Sequence, residues 1–214
     1  MPLIQDYPEP DFSRSSLELE GLENDAIKQF ENWLREAYQE SYPLPNAMSL
    51  ATASAEGTPT ARTVLLKSYD NRGFVFYTNY GSRKAKQISG NAKACLLFPW
   101  VQLGRQITVT GEVEKIPQNE SLEYFHSRPR GSQLGAWASE QSTVISSREI
   151  LEANFSEIKL RFSNGPIPLP DFWGGYRVLP DSIEFWQNRT DRMHDRFIYN
   201  RRENGSWTID RLTP

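Results

Sequence analysis

Five strand-like runs crowd residues 48–115 of this chain, and their spacing leaves room for little but an antiparallel sheet. The runs fall at roughly 48–55, 59–67, 73–78, 94–99 and 105–115, rich in β-branched, aromatic or alternating apolar residues. Turn signals at Thr58 and Pro59 and at Asn71, Arg72 and Gly73 separate them. A parallel pair needs a crossover of a dozen or more residues, and only the gap holding a short helix at 82–90 is that long. The expected fold class is α+β, a mainly antiparallel barrel with helices around it.

The flanking elements follow from period and punctuation. Ile27, Phe30, Leu34 and either Ala37 or Tyr38 mark one face of a helix opening near Asn24. Residues 121–128 end a helix closed by Pro129, with Arg130 and Gly131 expected to loop out. A further helix opens at Ser146, with Glu149 completing a capping box and Leu151, Phe155, Ile158 and Phe162 as its buried stripe. Strands are expected at 175–178, 183–187 and 196–199, then a turn at Asn204 and Gly205 into a last strand over 207–212. Residues 1–23, with Pro2, Pro8, Pro10 and several acids, read as a mobile arm, and 24–214 as one domain.

Composition bounds the function. The chain carries 24 basic and 27 acidic residues, a net charge of −3, so nucleic acid is not an expected partner and any affinity for anions must be local. The lone Cys95 sits in an apolar run and reads as a core residue; with only His126 and His194, no metal site is expected. No apolar run is long enough to span a membrane and the N-terminus lacks a signal-peptide core, so a cytoplasmic protein without a membrane partner is expected.

Local anion affinity is where the charges are out of place. Arg83 and Lys84 stand in the first turn of the 82–90 helix, behind a Ser82 cap, where the helix dipole already places about half a positive charge. A phosphate lying on the free N–H groups would reverse that cost. Arg62 and Lys67, at the two ends of an apolar strand, add to the cradle. Alternation puts them on opposite faces unless a bulge intervenes, and sequence leaves that open. A second anion site is expected from Tyr124 and Arg128, four apart on a helix face, with Ser132 beyond the Pro129 break. Farther on, Arg192, His194 and Arg196 would alternate onto one face of an extended segment, with Asp195 opposite and Trp186 offering an aromatic plane. A neutral imidazole is favoured between two arginines. Gln106, Gln141 and Ser142 are uncharged groups suited to ring carbonyls and nitrogens. The chain has no dinucleotide fingerprint, Walker loop or serine nucleophile elbow. Cations and aromatics without metal or nucleophile point to an organic cofactor.

These stretches together resemble the pyridoxamine 5′-phosphate oxidase family. The resemblance runs in order through 62–67 (Arg-Thr-Val-Leu-Leu-Lys), 76–79 (Phe-Tyr-Thr-Asn), 81–84 (Gly-Ser-Arg-Lys) and 97–100 (Leu-Phe-Pro-Trp). It continues through 124–130 (Tyr-Phe-His-Ser-Arg-Pro-Arg), 135–137 (Gly-Ala-Trp), 141–142 (Gln-Ser) and 172–175 (Phe-Trp-Gly-Gly). It ends with 184–187 (Glu-Phe-Trp-Gln), 192–197 (Arg-Met-His-Asp-Arg-Phe) and 210–214 (Asp-Arg-Leu-Thr-Pro). It implies an FMN-binding split barrel and a homodimer with flavin sites at the subunit interface. By resemblance, Arg62, Arg83 and Lys84 would hold the FMN phosphate, with Gln141 and Ser142 arriving from the other subunit. Thr63, Val64, Leu65, Leu66, Lys67, Tyr77, Thr78, Gln106, Trp186 and Arg196 would line the rest of the cofactor. Lys67, Tyr124, Arg128 and Ser132 would take the substrate phosphate, and the catalytic pair Arg192 and His194 would hold the pyridine ring with Met193 beside them. The implied reaction is hydride transfer from C4′ of pyridoxamine or pyridoxine 5′-phosphate to the flavin, which oxygen reoxidises with release of hydrogen peroxide. The alternatives are a split-barrel flavoprotein with another substrate and a non-catalytic carrier of FMN or pyridoxal phosphate.

Overall fold

The structure is a computed structural model and describes residues 16–214. Among these residues nine strands form one sheet: β1 (Ala47–Ala53), β2 (Pro59–Leu65), β3 (Ser68–Asp70), β4 (Gly73–Asn79), β5 (Lys93–Trp100), β6 (Arg105–Lys115), β7 (Trp173–Gln187), β8 (Asp195–Arg201) and β9 (Trp207–Arg211). The order is β2-β1-β5-β6-β7-β4-β3, with β8 on β7 and β9 on β8, and every pair is antiparallel. The expected antiparallel α+β architecture is what the chain adopts.

β7 organises the sheet. Its first half pairs with β4 from Trp173 to Val178, its second half with β8 from Ser182 to Gln187, and β6 runs beside both. The strands expected at 175–178 and 183–187 are one continuous strand, which passes through Pro180 although proline has no N–H to give a ladder. The chain solves this with a register shift between Thr110 and Gly111 of β6, which leaves Gly111 opposite Pro180.

One helix fills the curl of the sheet. α1 (Ala26–Gln39) is capped by Asp25, whose Oδ1 accepts the N–H groups of Ile27 and Lys28 at 2.8 and 3.1 Å. Its Phe30 meets Tyr69, Phe74 and Phe98 edge-on at 4.9–5.1 Å, and Trp33 meets Phe185 at 5.2 Å. Each such contact adds about 0.5–1.5 kcal/mol to ordinary burial. Ala37 is buried and Tyr38 exposed, which settles the helix face.

A second layer is built from α3 (Gln118–Ser127), α4 (Arg130–Ala138), α5 (Arg148–Arg161) and the 163–172 loop. Its small core joins Phe125, Leu134, Ile167 and Trp173. Arg130 and Gly131 do not loop out; they open α4, because a proline at the preceding position is pre-set for a helix start. The capping box expected at Ser146 and Glu149 is not formed: the helix starts at Arg148 behind Ser147, with no side-chain cap. Of the expected stripe, Phe155, Ile158 and Phe162 pack partly against this core and Leu151 stays exposed.

Residues 1–15 of the expected arm lie outside the described residues. The remainder is docked rather than mobile: the Leu17 N–H donates to Asp195 Oδ2 at 3.0 Å, and Tyr199 Oη donates to the Glu23 carbonyl at 2.8 Å. No described helix is long and apolar enough to cross a membrane, and no described cluster of three His, Cys, Asp or Glu could hold a metal ion.

The register shift makes a test of the fold. A Cβ on Gly111 would lie 1.9 Å from the Leu179 carbonyl oxygen, which is backbone and cannot step aside. Gly111→Ala should cost about 3 kcal/mol and lower Tm by about 6–12 °C. Gly131→Ala, in open space near the start of α4, should instead stabilise by about 0.5–1 kcal/mol. Urea denaturation of the two variants checks the opposite signs.

Candidate active site

A cavity of about 680 Å³ lies between β2 and β4 of the sheet and α3 and α4 of the helical layer. Thr63, Val64, Leu65, Lys67, Tyr77 and Thr78 line it from the sheet side; Tyr124, Arg128 and Ser132 come from the helices. Lys84 and Gln141 complete this set of expected residues. Strand alternation places them. β2 ends at Leu65, Leu66 turns into the core, and Lys67 returns to the cavity side. No bulge brings Arg62 and Lys67 to one face; Arg62 does not line the cavity, and the Leu66 side chain is buried in the core.

Arg62 reaches toward β1 and is pinned by neutral acceptors. Its Nη1 donates to the Leu50 carbonyl at 3.0 Å and to Thr52 Oγ1 at 2.7 Å, and its Nη2 donates to Thr60 Oγ1. Lys84 comes from α2 (Arg83–Gly90), whose cap is Ser82 as expected. The Lys84 Nζ is buried and donates to Thr78 Oγ1 at 3.1 Å and Gln141 Oε1 at 2.8 Å. Burial, then the charge of Arg62, push Lys84 down to about 8, well below an ordinary lysine. Burial and the neighbouring Arg83 likewise lower Arg62. Among the described residues no carboxylate pairs with Arg62, Arg83 or Lys84. The helix end contributes less than expected: the Arg83 N–H donates to Ser142 Oγ at 3.3 Å and the Ala85 N–H to Ser82 Oγ at 3.4 Å. The cradle is built from side chains more than from free backbone donors.

Gln141 and Ser142 thus sit beside this chain's own Lys84 and Arg83. The expectation that they serve the other subunit's site is corrected: the chain leaves α4 at Ala138 and returns directly over the start of α2. Asn79 helps to fix this crossing, accepting the Gly81 N–H at 2.7 Å and donating to the Ser139 carbonyl at 3.2 Å.

The second group of cations is laid on aromatic rings. Tyr77 stacks on Tyr124 at 3.9 Å and on Trp173 at 5.4 Å, with interplanar angles of 20° and 11°. The Arg128 guanidinium lies 4.7 Å from the Trp173 ring centre, and Lys67 Nζ 5.9 Å from that of Tyr124. Arg128 Nη1 is buried with no hydrogen-bond partner. Burial lowers the Arg128 pKa, with Tyr124 opposing. Arg128 is not on the helix with Tyr124; it is the extended residue between α3 and Pro129, yet it lines the same cavity. Trp173 and Asn79 were not singled out from sequence as site residues. An aromatic beside two glycines after a proline-rich loop was the available signal for Trp173.

The remaining expected residues form another surface. Gln106 of β6 stands opposite Trp186 of β7, which stands opposite Arg196 of β8. The His194 ring is 4.7 Å from Trp186, and its Nδ1 accepts the Arg189 N–H at 3.2 Å, the geometry of a neutral ring with its proton on Nε2. Arg196 Nε donates to Glu184 Oε1 at 2.8 Å. The expected alternation through Arg192, His194 and Arg196 fails because β8 begins only at Asp195. Arg192 lies in a short 3-10 turn, where Asp191 and Arg192 take φ of 57° and 58°, and Arg192 and Met193 are exposed. None of this second surface lines the cavity. Trp186 is thirteen residues along β7 from Trp173, about 40 Å of strand at 3.3 Å per residue.

Comparison with known proteins agrees with this geometry. Residues 34–162 match the family described as pyridoxamine 5′-phosphate oxidase, and 173–214 the one described as the pyridoxine 5′-phosphate oxidase C-terminal dimerisation region. A pyridoxine/pyridoxamine 5′-phosphate oxidase of Rippkaea orientalis is 55% identical over 95% of this chain and 96% of its own. One of Pectobacterium atrosepticum is 51% identical over 100% and 95%. Among solved structures, PhzG from Burkholderia lata, in complex with tetrahydrophenazine-1-carboxylic acid, has a TM-score of 0.85 at 29% identity, covering 98% of both chains. A pyridoxamine 5′-phosphate oxidase-related, FMN-binding protein from Nostoc punctiforme shares the fold with a TM-score of 0.71 at 17% identity, over 86% of this chain and 97% of that one. The chain belongs to the pyridoxamine 5′-phosphate oxidase family.

Proposed function

We propose that this chain is an FMN-dependent oxidase converting pyridoxamine 5′-phosphate and pyridoxine 5′-phosphate to pyridoxal 5′-phosphate, acting as a homodimer. One observation carries the reading: among the described residues two groups of cations without a carboxylate partner meet at one cavity, Lys84 lining it from the first and Lys67 and Arg128 from the second. The reaction brings two phosphate monoesters together, one on the cofactor and one on the substrate. Arg62, Arg83 and Lys84 fit the first, since beyond burial the charge of Arg62 lowers Lys84 and that of Arg83 lowers Arg62, and an anion relieves both. Arg128, with its orphaned Nη1, fits the second together with Lys67, Tyr124 and Ser132. Arg128 lies over Trp173 on the helical side, whereas Lys84 is bonded to Thr78 and Gln141, which supports two separate phosphate sites. Residues 24–214 are proposed as the single domain that carries both.

Bound FMN would supply the redox chemistry, a two-electron oxidation of the substrate with oxygen as final acceptor and hydrogen peroxide as product; with the amine substrate, water would release ammonia. The protein's work is placement. Arg128 fixes the substrate phosphate against the aromatic stack. Thr63 to Leu65 and Thr78 give the cofactor a wall on the sheet side. Arg192 and His194 are proposed to hold the pyridine ring, with the His194 Nε2–H as donor. They lie on the Gln106–Trp186–Arg196 surface, far along β7 from the cavity, so each site is assembled from the cavity of one subunit and this surface of its partner. The match of 173–214 to a dimerisation region supports that arrangement. A non-catalytic carrier would bind both phosphates yet consume no oxygen, and an oxygen electrode with pyridoxine 5′-phosphate separates the two readings.

Phosphate sites that act separately should fail separately. Lys84→Met should weaken FMN binding, with activity restored by excess FMN. Arg128→Ala should keep its flavin and raise KM for pyridoxine 5′-phosphate about 10- to 100-fold, the loss of one charge-assisted contact. Flavin occupancy from the visible spectrum and steady-state kinetics check both.

Lys84 also sets a pH dependence. Its folded value of about 8 lies below the ordinary lysine value, so the apoprotein gains stability as pH rises from 8 toward 10.5, where the unfolded chain holds the extra proton. A bound phosphate favours the charged amine and raises that value. FMN affinity should therefore be full below about pH 8 and fall above it, by less than tenfold per pH unit. Flavin-fluorescence titrations between pH 7 and 9.5 should show the slope, and Lys84→Met should flatten it.

Sharing of sites between subunits predicts complementation. Mixed and reassociated Arg128→Ala and His194→Ala subunits should regain about one quarter of wild-type activity, because half the dimers are mixed and each has one intact site. If both halves came from one subunit, mixing would restore nothing.

A further inference from the structure

Arg62 does not hold its own position. Its guanidinium donates to two threonine hydroxyls, Thr52 Oγ1 and Thr60 Oγ1, which face each other across β1 and β2. A hydroxyl has one hydrogen to give and lone pairs to accept with. Gln87 of α2 determines which way each points: its Oε1 accepts from Thr52 Oγ1 at 2.6 Å and from Thr60 Oγ1 at 2.7 Å. Its amide is turned the right way for this, because Nε2 donates to the Thr58 carbonyl at 3.3 Å. Both hydroxyl hydrogens are thereby directed at Gln87, and both hydroxyl oxygens are left to accept from Arg62. Gln87 and Thr52 are buried, so no water competes for these groups. Gln87 also lies three residues from Lys84 on the same helix, so one side chain ties the helix carrying Lys84 and Arg83 to the strand carrying Arg62.

We infer that Gln87 is a positioning residue for the cofactor phosphate: through Thr52 and Thr60 it orients the Arg62 guanidinium, and it sets the spacing between that guanidinium and Lys84. The inference rests on the assignment of Arg62 to the FMN phosphate. Gln87 does not line the cavity. Methionine at this position keeps the volume and removes the acceptor; the hydroxyls then lose their common partner, and Arg62 loses two oriented acceptors while the neighbouring cations still repel it.

The test compares FMN with riboflavin, which has the same ring and no phosphate, by fluorescence titration of the full-length apoprotein. Gln87→Met should weaken FMN about tenfold and leave riboflavin within twofold. Thr60→Val, which removes one relay hydroxyl at constant shape, should act in the same direction and serves if Gln87→Met does not fold. In an Arg62→Lys background, where the fork is gone, Gln87→Met should cost little more. Equal weakening of both ligands, or of neither, overturns the inference, as do losses that simply add in the double variant. If Arg62→Lys alone leaves the preference for FMN over riboflavin intact, the assignment of Arg62 to phosphate fails and the inference falls with it. If Arg62→Lys lowers that preference and Gln87→Met does not, the assignment stands and the role of Gln87 alone is refuted.

Discussion

Like charges held together without counterions are the constraint on which this structure turns. Two unit charges 4 Å apart repel by about 4 kcal/mol at the effective dielectric of a protein surface. Carboxylates could cancel that cost, but they would also repel the anion the cations are there to bind. The chain uses neutral oxygens instead: the Leu50 carbonyl and the Thr52 and Thr60 hydroxyls for Arg62, Thr78 and Gln141 for Lys84. Such acceptors lower the energy of each cation without removing its field. Most are borne by paired strands, Leu50 and Thr52 on β1, Thr60 on β2 and Thr78 on β4, which hold them rigid; Gln141 comes from the loop after α4.

The same logic shapes the second cation group with different materials. Arg128 is set over Trp173, and Trp173 belongs to a stack with Tyr77 and Tyr124. A desolvated guanidinium on a tryptophan face gains about 2 kcal/mol, while an unmet buried donor costs about 1–3 kcal/mol. The two offset each other, leaving a cation that is fixed in place and still short of one partner. A phosphate oxygen at Nη1 would complete it. Tyr77, half-buried in this stack, has its phenol pushed up to about 12, chiefly by burial, and acts as a neutral wall.

β7 links these local devices to the assembly. One end carries Trp173 under Arg128, and the other carries Trp186 between Gln106 and Arg196. The two surfaces thus stand at opposite ends of one strand, which fits a proposed site completed by a second subunit, and the match of 173–214 to a dimerisation region supports a homodimer. Asp195 matters here as well: buried, it accepts from Leu17, Arg211 and Arg189, and so anchors the loop that presents His194.

Sequence alone determined the elements whose signals are local. Ser82 as a helix cap, the face of α1, the antiparallel sheet and the two cation groups were all legible, because turn residues, periodicity and misplaced charge act over a few positions. The ordered motifs carried the family. The errors came where distant parts of the chain decide the outcome. Strands 175–178 and 183–187 were read as two, whereas Gly111, nearly seventy residues from Pro180, lets one ladder pass through both. Gln141 and Ser142 were given to the wrong subunit, since no local signal says whether a loop returns to its own chain. Arg192, His194 and Arg196 were expected to alternate along an extended segment, but extended pairing starts only at Asp195, where contacts with Leu17 and Arg211 fix the chain. The network of Gln87, Thr52 and Thr60 around Arg62 had no sequence signature at all: its members are unremarkable singly, and only the pairing of β1 with β2 beneath α2 brings their hydroxyls and amide within hydrogen-bond reach.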